Sequence, residues 1–376
     1  MTHERPETPA DTRLLDRFKQ DFRHVGDDFR QKGWQGTAGR TLTELEAFYL
    51  STHAKQRLSE MPVIKRWAVL LWWLLKSLLL KLTPARRVML AISLVLLASG
   101  MQTVSFEAGP VSFRFPLIGT LLLLLVLMLE LKDKLLARDE LEAGRKVQLA
   151  LMPDRSPSVP GWEAWLFTRP ANDVGGDLVD FLRVDANRYA VSLGDVAGKA
   201  LPAALLMAKL QSTLRALVPQ FTRLSDLGSA VNRILCRDGL PNRFATLAYL
   251  EVTARDGAIR ILNAGHMPPL VIRGRQIEEL PPGSMALGIV ADTAFTEQRA
   301  DLAEGDCLFV YSDGITEAMN TAGDFFGDER LRSLLHDCAG RPAAETGSRV
   351  LAAVESFVGG ARPHDDISMV VLRRTR

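Results

Sequence analysis

The pattern of apolar and polar residues changes near residue 153, from long apolar runs to short segments of strand length. Downstream of this change we predict strands over Arg188–Val196, Phe244–Thr253, Ala258–Ala264, Pro269–Arg273, Asp306–Ser312 and Ile367–Leu372. Apolar residues at helical spacing predict helices over Ala200–Val218, Leu224–Arg237, Asp328–Asp337 and Ala343–Val358. Strands joined by hairpins, one of them at Asp256–Gly257, with helices in separate blocks indicate an α+β fold with largely antiparallel sheets.

Two apolar runs without a charged residue, Val88–Val104 and Phe115–Leu129, lie upstream of this part. They predict membrane spans over residues 88–104 and 115–130, because about 20 apolar residues cross a bilayer as a helix. Basic residues flank the pair on both outer sides, which places both termini in the cytoplasm by the positive-inside rule. We therefore expect a membrane region over residues 61–130 in the inner (cytoplasmic) membrane. A pair of buried helices in a soluble domain is the alternative.

Two further segments complete the N-terminal part. Residues 66–82 carry Lys and Arg along one arc of a helix and Leu and Trp elsewhere. This is typical of a helix that lies in the membrane interface, and a third span with Lys76 buried is the alternative. The polar residues 1–60 predict short helices joined by loops. Their acidic, proline-rich start lacks the basic and apolar segments of a cleaved secretory signal.

Residues 131–152 are highly charged and predict a linker helix, which Pro153 ends because proline cannot continue a helix. An imperfect stripe of leucine and valine follows one side of this helix. The stripe would let two copies of the chain pair as a short coiled coil and form a homodimer. A solvated spacer between the membrane region and a cytoplasmic domain over residues 153–376 is the alternative.

Composition and charge narrow the function. A chain of 376 residues has room for two to three domains. With 46 Lys+Arg against 44 Asp+Glu and no basic stripe in the C-terminal half, we expect no nucleic-acid partner. The three cysteines lie far apart, which fits neither a disulfide framework nor a zinc site and favours a reducing compartment.

Four acidic turns stand beside strands in residues 153–376. Asp177 and Asp195 each follow a glycine, Asp313 precedes one, and Asp365 comes just before the last strand. Carboxylates gathered at one sheet edge repel one another unless cations neutralise them, and hard cations such as Mg²⁺ or Mn²⁺ prefer oxygen ligands. Two such ions about 3.5–4 Å apart give a phosphoester hydrolase an activated water and a charge clamp. The spacing alone leaves open whether the four turns meet or are ordinary surface turns.

Six motifs in a fixed order make the pattern more specific. The chain contains GGDLVDF, LGDVAGKALPAALLMA, ATLAYLEV, LNAGHMPPLVI, LFVYSDGITEAMN with FFGDERL, and HDDISMVVL. Together they resemble the sporulation and stress sigma-factor-regulator branch of the bacterial PPM-type (protein phosphatase 2C-like) serine/threonine phosphatases, over about residues 145–374. The resemblance implies an α-β-β-α sandwich and hydrolysis of phosphoserine or phosphothreonine. It also implies two Mn²⁺ or Mg²⁺ ions as cofactors.

The resemblance also assigns residues and a substrate class. Matched motif by motif, Asp177, Asp195, Asp313 and Asp365 are metal ligands, and the backbone carbonyl of Val196 is a further one. The implied substrate is a phosphorylated regulatory protein, such as an anti-sigma-factor antagonist. The function implied is therefore that of a membrane-anchored metal-dependent protein phosphatase in signal transduction.

Two positions depart from the family pattern. The family usually has glycine where Ala200 stands, so this turn could be less tight here than in the family. Eukaryotic relatives place a histidine just after the second metal aspartate, where Val196 and Ala197 stand here. Protonation of the leaving group would then fall to water, to His266 or to His364. His364 is the better candidate because neighbouring carboxylates raise the pKa of a histidine, although it could simply support the Asp365 turn.

Two other functions remain open from the sequence. A catalytically weak module of the same fold could bind signalling partners without acting as a phosphatase. The Gly175-Gly176-Asp177 turn also loosely resembles a nucleotide cyclase signature. That signature requires acidic and aromatic residues directly after the aspartate, and Leu178-Val179 stand there instead.

Overall fold

The computed structural model describes residues 69, 76, 79–99, 101–106, 109–238, 243–253 and 257–375. It divides into two compact units, Met1–Asp133 and Lys134–Arg376. The helices predicted within residues 1–60 and most of the helix predicted over 66–82 lie outside the described residues.

From Pro84 onward, the described residues of the first unit form two helices separated by an antiparallel pair of strands. Its elements are α1 (Pro84–Ala98), β1 (Met101–Phe106), β2 (Gly109–Arg114) and the beginning of α2 (Phe115–Leu151). The span predicted over residues 88–104 differs from the structure, because α1 ends at Ala98 and the last four residues of that span pair with β2. Gly100 and the β-branched pair Thr103-Val104 disfavour a helix there.

Helices α1 and α2 pack closely within this unit. A side chain added at Gly119 of α2 would come within 2.8 Å of the carbonyl oxygen of Ser93 on α1. Arg86 of α1 also bonds Glu130 and Asp133 of α2, at 2.8 and 2.6 Å. Among the described helices, α2 is long and apolar enough to cross a membrane, and only 11% of its most apolar stretch is buried.

The second unit is a mixed α and β domain. Its strands are β3 (Ser158–Val159), β4 (Trp162–Arg169), β5 (Leu178–Arg183), β6 (Arg188–Val196), β7 (Ala245–Thr253), β8 (Ala258–Ala264), β9 (Leu270–Arg273), β10 (Gln276–Glu279), β11 (Glu297–Asp301), β12 (Cys307–Tyr311) and β13 (Ile367–Arg374). Its helices after α2 are α3 (Ala200–Leu217), α4 (Leu224–Asp238), α5 (Asp313–Thr316), α6 (Gly327–Asp337) and α7 (Ala343–Val358).

Two antiparallel sheets form the centre of this domain. One has the strand order β10-β9-β12-β13-β4-β3 and the other β11-β8-β7-β6-β5. A first apolar core fills the space between the sheets, with members such as Leu166, Leu193 and Val370. A second core lies between α3, α4 and one sheet, and a third between α6, α7 and the other sheet. These layers form the α-β-β-α sandwich that the resemblance implies.

The predicted elements agree with the structure within a few residues, and α7, β6 and β8 match to the residue. Strands β7 and β8 pair antiparallel, as a hairpin between them requires, and Asp256 of the predicted Asp256–Gly257 turn lies outside the described residues. The sequence interpretation missed β3, β4, β5, β10 and β11. Several of these are short or lie at sheet edges, where the alternation of apolar and polar residues is weak.

Candidate metal centre and active site

The four acidic turns meet at one edge of the sandwich. Asp177 directly precedes β5, Asp195 lies near the end of β6, Asp313 follows β12, and Asp365 precedes β13. Because neighbouring strands run antiparallel, the start of β5 and the end of β6 fall at the same edge. The end of β12 and the start of β13 meet in the same way.

The glycines in these turns show how closely the backbones approach. A Cβ atom at Gly176 would lie 3.2 Å from the carbonyl oxygen of Val196 and 3.7 Å from Asp195 Oδ1. A Cβ atom at Gly314 would lie 1.9 Å from the carbonyl oxygen of Asp366. Glycine is therefore required at position 314 for steric reasons, whereas a Cβ atom at position 176 would be tight and would need its neighbours to shift by a few tenths of an ångström.

Asp366 holds the first turn in place. Its carboxylate accepts hydrogen bonds from the backbone N–H groups of Ala171 at 2.7 Å, Gly176 at 2.7 Å and Asp177 at 3.3 Å. Asp366 is buried, and its side chain is committed to these three donors. From the sequence, Asp366 is either an outer metal ligand or an ordinary acidic surface residue. The structure gives it a structural task at the centre of the site.

The carboxyl of Asp177 is buried next to other acidic groups. It is 5% exposed, and its Oδ2 atom has no hydrogen-bond partner. Burial raises the pKa of Asp177 well above its usual value, and Asp195 and Asp366 raise it further. The nearby hydroxyls of Ser312 and Ser368 lower it only in part, and they donate to the Asp366 carbonyl and to Thr168.

The pKa of Asp195 depends on acidic groups from the other turns of the cluster. Burial raises its pKa to about 6, with further contributions from Asp313, Asp365 and Asp366, while a hydrogen bond with Asp177 offsets part of the rise. Burial also raises the pKa of Asp313, followed by the charges of Glu317 and Asp365. A bound cation would oppose these shifts in pKa, because its charge favours the ionised carboxylates.

The donor set fits hard divalent cations. It consists of carboxylate oxygens and the Val196 carbonyl, which are the ligand types that Mg²⁺ and Mn²⁺ prefer. The buried, unpartnered Oδ2 of Asp177 supports this fit, since such an atom is costly without a partner. Within the described residues, no group of three or more His, Cys, Asp or Glu side chains is arranged so as to hold an ion. The cluster therefore brings the turns together without forming a closed set of ligands.

Lys199 and Ala200 lie in the turn that follows Asp195. The Lys199 ammonium is 3.2 Å from Asp365 Oδ2 and donates to the carbonyl oxygen of His364 at 3.0 Å. Ala200 has φ = +62°, in the left-handed region that favours glycine. The position where the family usually has glycine therefore keeps the glycine conformation here.

The two histidine candidates differ in accessibility. His364 is exposed beside Asp365 and lines a cavity of about 340 Å³ together with Gly314, Met319 and Arg169. His266 is buried, and both of its ring nitrogens are engaged in hydrogen bonds. Burial lowers the pKa of His266 to about 4, so the ring is neutral near pH 7. His266 therefore does not fit the role of an acid that reaches a substrate.

Two other polar residues are placed differently from the sequence interpretation. From the sequence, Asp180 is either an outer metal ligand or an acidic surface residue. In the structure it is buried in a two-bond ion pair with Arg215 of α3, at 2.6 and 2.8 Å. Gln148, near the end of α2, was not singled out. Its side-chain amide forms two hydrogen bonds with the backbone of Gly175, donating at 2.9 Å and accepting at 3.1 Å. The sequence signal for Gln148 is weak, because it is only an uncharged glutamine within a highly charged helix.

Comparisons with known proteins agree with this fold and these motifs. The family model described as stage II sporulation protein E (SpoIIE) matches residues 185–375, about half of the chain. The matched part includes Asp195, Asp313 and Asp365 and begins after Asp177.

Among curated proteins, the chain is 26% identical to protein IcfG of Synechocystis over 277 residues, 65% of this chain and 43% of IcfG. It is 25% identical to phosphoserine phosphatase RsbU of Bacillus subtilis over 242 residues, 63% of this chain and 70% of RsbU. The chain thus spans less than half the length of IcfG. Among solved structures, the SiaA-PP2C domain of Pseudomonas aeruginosa matches with a TM-score of 0.56 and 20% identity, covering 64% of this chain and 98% of that domain.

Proposed function

Since the chain belongs to the SpoIIE family, in the sigma-factor-regulator branch of the bacterial PPM-type phosphatases, we propose that it is a metal-dependent protein serine/threonine phosphatase. The observation that carries this proposal is the meeting of four aspartate turns at one edge of the sandwich, where the charges of Asp313 and Asp365 raise the pKa of Asp195. A phosphate monoester is an anion, so a purely acidic pocket would repel it. Cations are therefore needed before such a pocket can accept this substrate.

The proposed metal ligands are Asp177, Asp195, Asp313, Asp365 and the carbonyl of Val196. When bound there, two Mn²⁺ or Mg²⁺ ions supply an activated water and neutralise charge on the phosphoryl group. The chain's own residues would fix the geometry. Asp366 holds the Asp177 turn through three backbone N–H groups, and the close contact between Gly314 and Asp366 holds the Asp313 turn against it.

Two exposed residues are proposed to act on the substrate. Lys199 is 57% exposed at the rim, so its ammonium can turn from Asp365 towards a phosphate oxygen as a point charge. His364 is exposed beside Asp365 and is proposed to protonate the serine or threonine oxygen as it leaves. The cavity that His364 lines has room for the residues that flank the phosphorylated side chain.

The proposed substrate is a phosphorylated regulatory protein, with an anti-sigma-factor antagonist as the first candidate. RsbU is named as a phosphoserine phosphatase, and the similarity to it covers 63% of this chain. This similarity supports phosphoserine as the group that is hydrolysed.

We further propose that α2 anchors the enzyme in the inner membrane with the phosphatase domain, residues 153–376, in the cytoplasm. The length and apolar composition of α2, with little of it buried, support the anchor. The same helix continues to Leu151, where it touches the phosphatase domain through Gln148. Two copies of the chain could also form a homodimer by pairing this helix over residues 131–152. We propose that the helix regulates phosphatase activity, because it continues from the proposed anchor to Gln148, which bonds Gly175 beside Asp177.

The test is release of phosphate from a phosphoserine protein by the purified chain with Mn²⁺, with and without EDTA. We expect activity that requires the metal and falls at least 100-fold in Asp195→Ala. The matched control is Asp185→Ala, which removes an exposed aspartate in the loop between β5 and β6 and should leave activity within twofold. Full activity in Asp195→Ala would contradict the site, and absence of Mn²⁺ binding by calorimetry would favour a partner-binding module.

A further inference from the structure

A line of hydrogen bonds connects the two sheets next to the acidic turns. It begins at the backbone N–H of Asp195, which donates to the hydroxyl of Thr246 on β7 at 3.1 Å. Thr246 Oγ1 lies 2.9 Å from His266 Nδ1. The other ring nitrogen, His266 Nε2, lies 3.1 Å from the carbonyl oxygen of Tyr311 at the end of β12. Tyr311 is two residues before Asp313, so the line joins two of the proposed metal ligands.

The protons in this line can be assigned. A carbonyl oxygen only accepts, so the ring proton of His266 is on Nε2 and is donated to Tyr311. Nδ1 then accepts a hydrogen bond from the Thr246 hydroxyl. The hydroxyl oxygen is left free to accept from Asp195. Each member therefore fixes the orientation of the next one.

The ring is itself held in place. The backbone N–H of His266 donates to the side-chain oxygen of Asn263 at 2.9 Å, and Asn263 is fully buried. Gly265 has φ = +68°, and a Cβ atom there would come within 2.7 Å of Ala286. A rigid turn thus places the ring between the sheets, where it is 6% exposed.

We propose that His266 is a positioning residue that, through Thr246 and the Tyr311 carbonyl, fixes where Asp195 stands relative to Asp313 for cation binding. This inference rests on the proposed function. Asp195 and Asp313 belong to different sheets, and apolar packing between sheets tolerates small sliding movements. A directed polar link at this edge removes that freedom, and oxygen-ligated cations such as Mg²⁺ demand well-defined ligand geometry.

The experiment compares substitutions that remove one or both bonds in the purified full chain. His266→Phe keeps the ring shape and removes both bonds, whereas His266→Gln retains a donor for Tyr311 and His266→Asn an acceptor for Thr246. Calorimetry measures Mn²⁺ binding, and steady-state kinetics with a phosphoserine protein measures turnover. We expect His266→Phe to weaken Mn²⁺ binding at least tenfold, with the amide variants between it and the unchanged chain. Equal Mn²⁺ affinity in His266→Phe and the unchanged chain would overturn the inference.

A second pair of variants covers the case in which His266→Phe does not fold. Thr246→Val keeps the shape of the side chain but removes the hydroxyl, and Thr246→Ser restores it. We expect Val to weaken Mn²⁺ binding and Ser to leave it near the original value. Equal Mn²⁺ affinity in the two variants would contradict the positioning role.

Leu302→Ala controls for general destabilisation. Leu302 is buried at the opposite end of the sheets, beside Gly257, and the loss of its side chain should lower stability without changing Mn²⁺ affinity. A matching loss of affinity in Leu302→Ala would reduce His266 to a structural role. If the unchanged chain binds Mn²⁺ and hydrolyses the substrate but His266→Phe and Thr246→Val match it, only this inference fails. If the unchanged chain does neither, the proposed function fails and this inference fails with it.

Discussion

The contact between Gln148 and Gly175 gives the sharpest prediction about how α2 meets the active site. Gln148 is 6% exposed, and its amide satisfies both the N–H and the carbonyl of Gly175, two residues before Asp177. Gln148→Leu keeps the approximate size of the side chain and removes both bonds. Since Gly175 is buried, its two backbone groups would be left without partners.

The expected size follows from these two bonds. Each hydrogen bond contributes about 1 kcal/mol net, and a buried group left unpaired costs about 1–3 kcal/mol. The substitution should therefore disfavour the native position of the Gly175–Asp177 turn by about 2–4 kcal/mol. At about 1.4 kcal/mol per factor of ten, this lowers the equilibrium constant between the native and a displaced Gly175–Asp177 turn by roughly 30-fold or more. Because Asp177 is in that turn, Mn²⁺ affinity should fall, by up to this factor where the displaced turn comes to predominate.

The assay combines Mn²⁺ binding by calorimetry, phosphate release, and the midpoint of thermal unfolding. Gln211→Leu is the matched control, because Gln211 is equally buried and donates to the Leu151 carbonyl at the end of the same helix, without touching the Asp177 turn. Both variants should lower the unfolding temperature, and only Gln148→Leu should lose Mn²⁺ affinity. The reasoning is refuted if the two variants have the same Mn²⁺ affinity as the unchanged chain, or lose it equally.

Three further predictions concern the turn after Asp195 and the buried histidine. Ala200→Gly should stabilise the domain by about 0.5–1 kcal/mol in urea unfolding, because alanine with φ = +62° is strained. Ala352→Gly, at an exposed interior position of α7, is the control and should destabilise the domain by about 1 kcal/mol. If Ala200→Gly does not stabilise the domain, Ala200 is not strained. Burial holds the pKa of His266 at about 4, below its unfolded value, so the stability that the neutral ring contributes is present above about pH 6.5 and is lost as pH falls through 4. Without metal, the free energy of unfolding of the unchanged chain should therefore fall by about 3 kcal/mol more than that of His266→Phe over this pH range. The same pH dependence of the free energy of unfolding in both proteins would argue against this. Lys199→Ala should change stability by less than about 1 kcal/mol, since its pair with Asp365 is exposed, but should raise KM for a phosphoserine protein several-fold; an unchanged KM would exclude contact with the phosphate.

The sequence by itself determined the main helices, about half of the strands of the second unit and the chemistry of the donors. Apolar periodicity is a local property, so it predicted α7, β6 and β8 to the residue. The ordered motifs also carried the resemblance that the family comparison confirms. The strand predictions were weaker for short strands and for strands at sheet edges. The edge strand β5 was missed although it directly follows Asp177.

Only the tertiary structure decided which of the acidic residues stand together and what each one contacts. Asp180 and Asp366 look alike as neighbours of metal-binding motifs, yet one is paired with Arg215 and the other holds three backbone N–H groups. Likewise, no local pattern distinguishes the exposed His364 from the buried His266. The physical reason is that strand register and the packing of two sheets bring together residues nearly two hundred positions apart. The energy of a charged or polar side chain depends on those neighbours and on burial, and neither is encoded in the residues beside it.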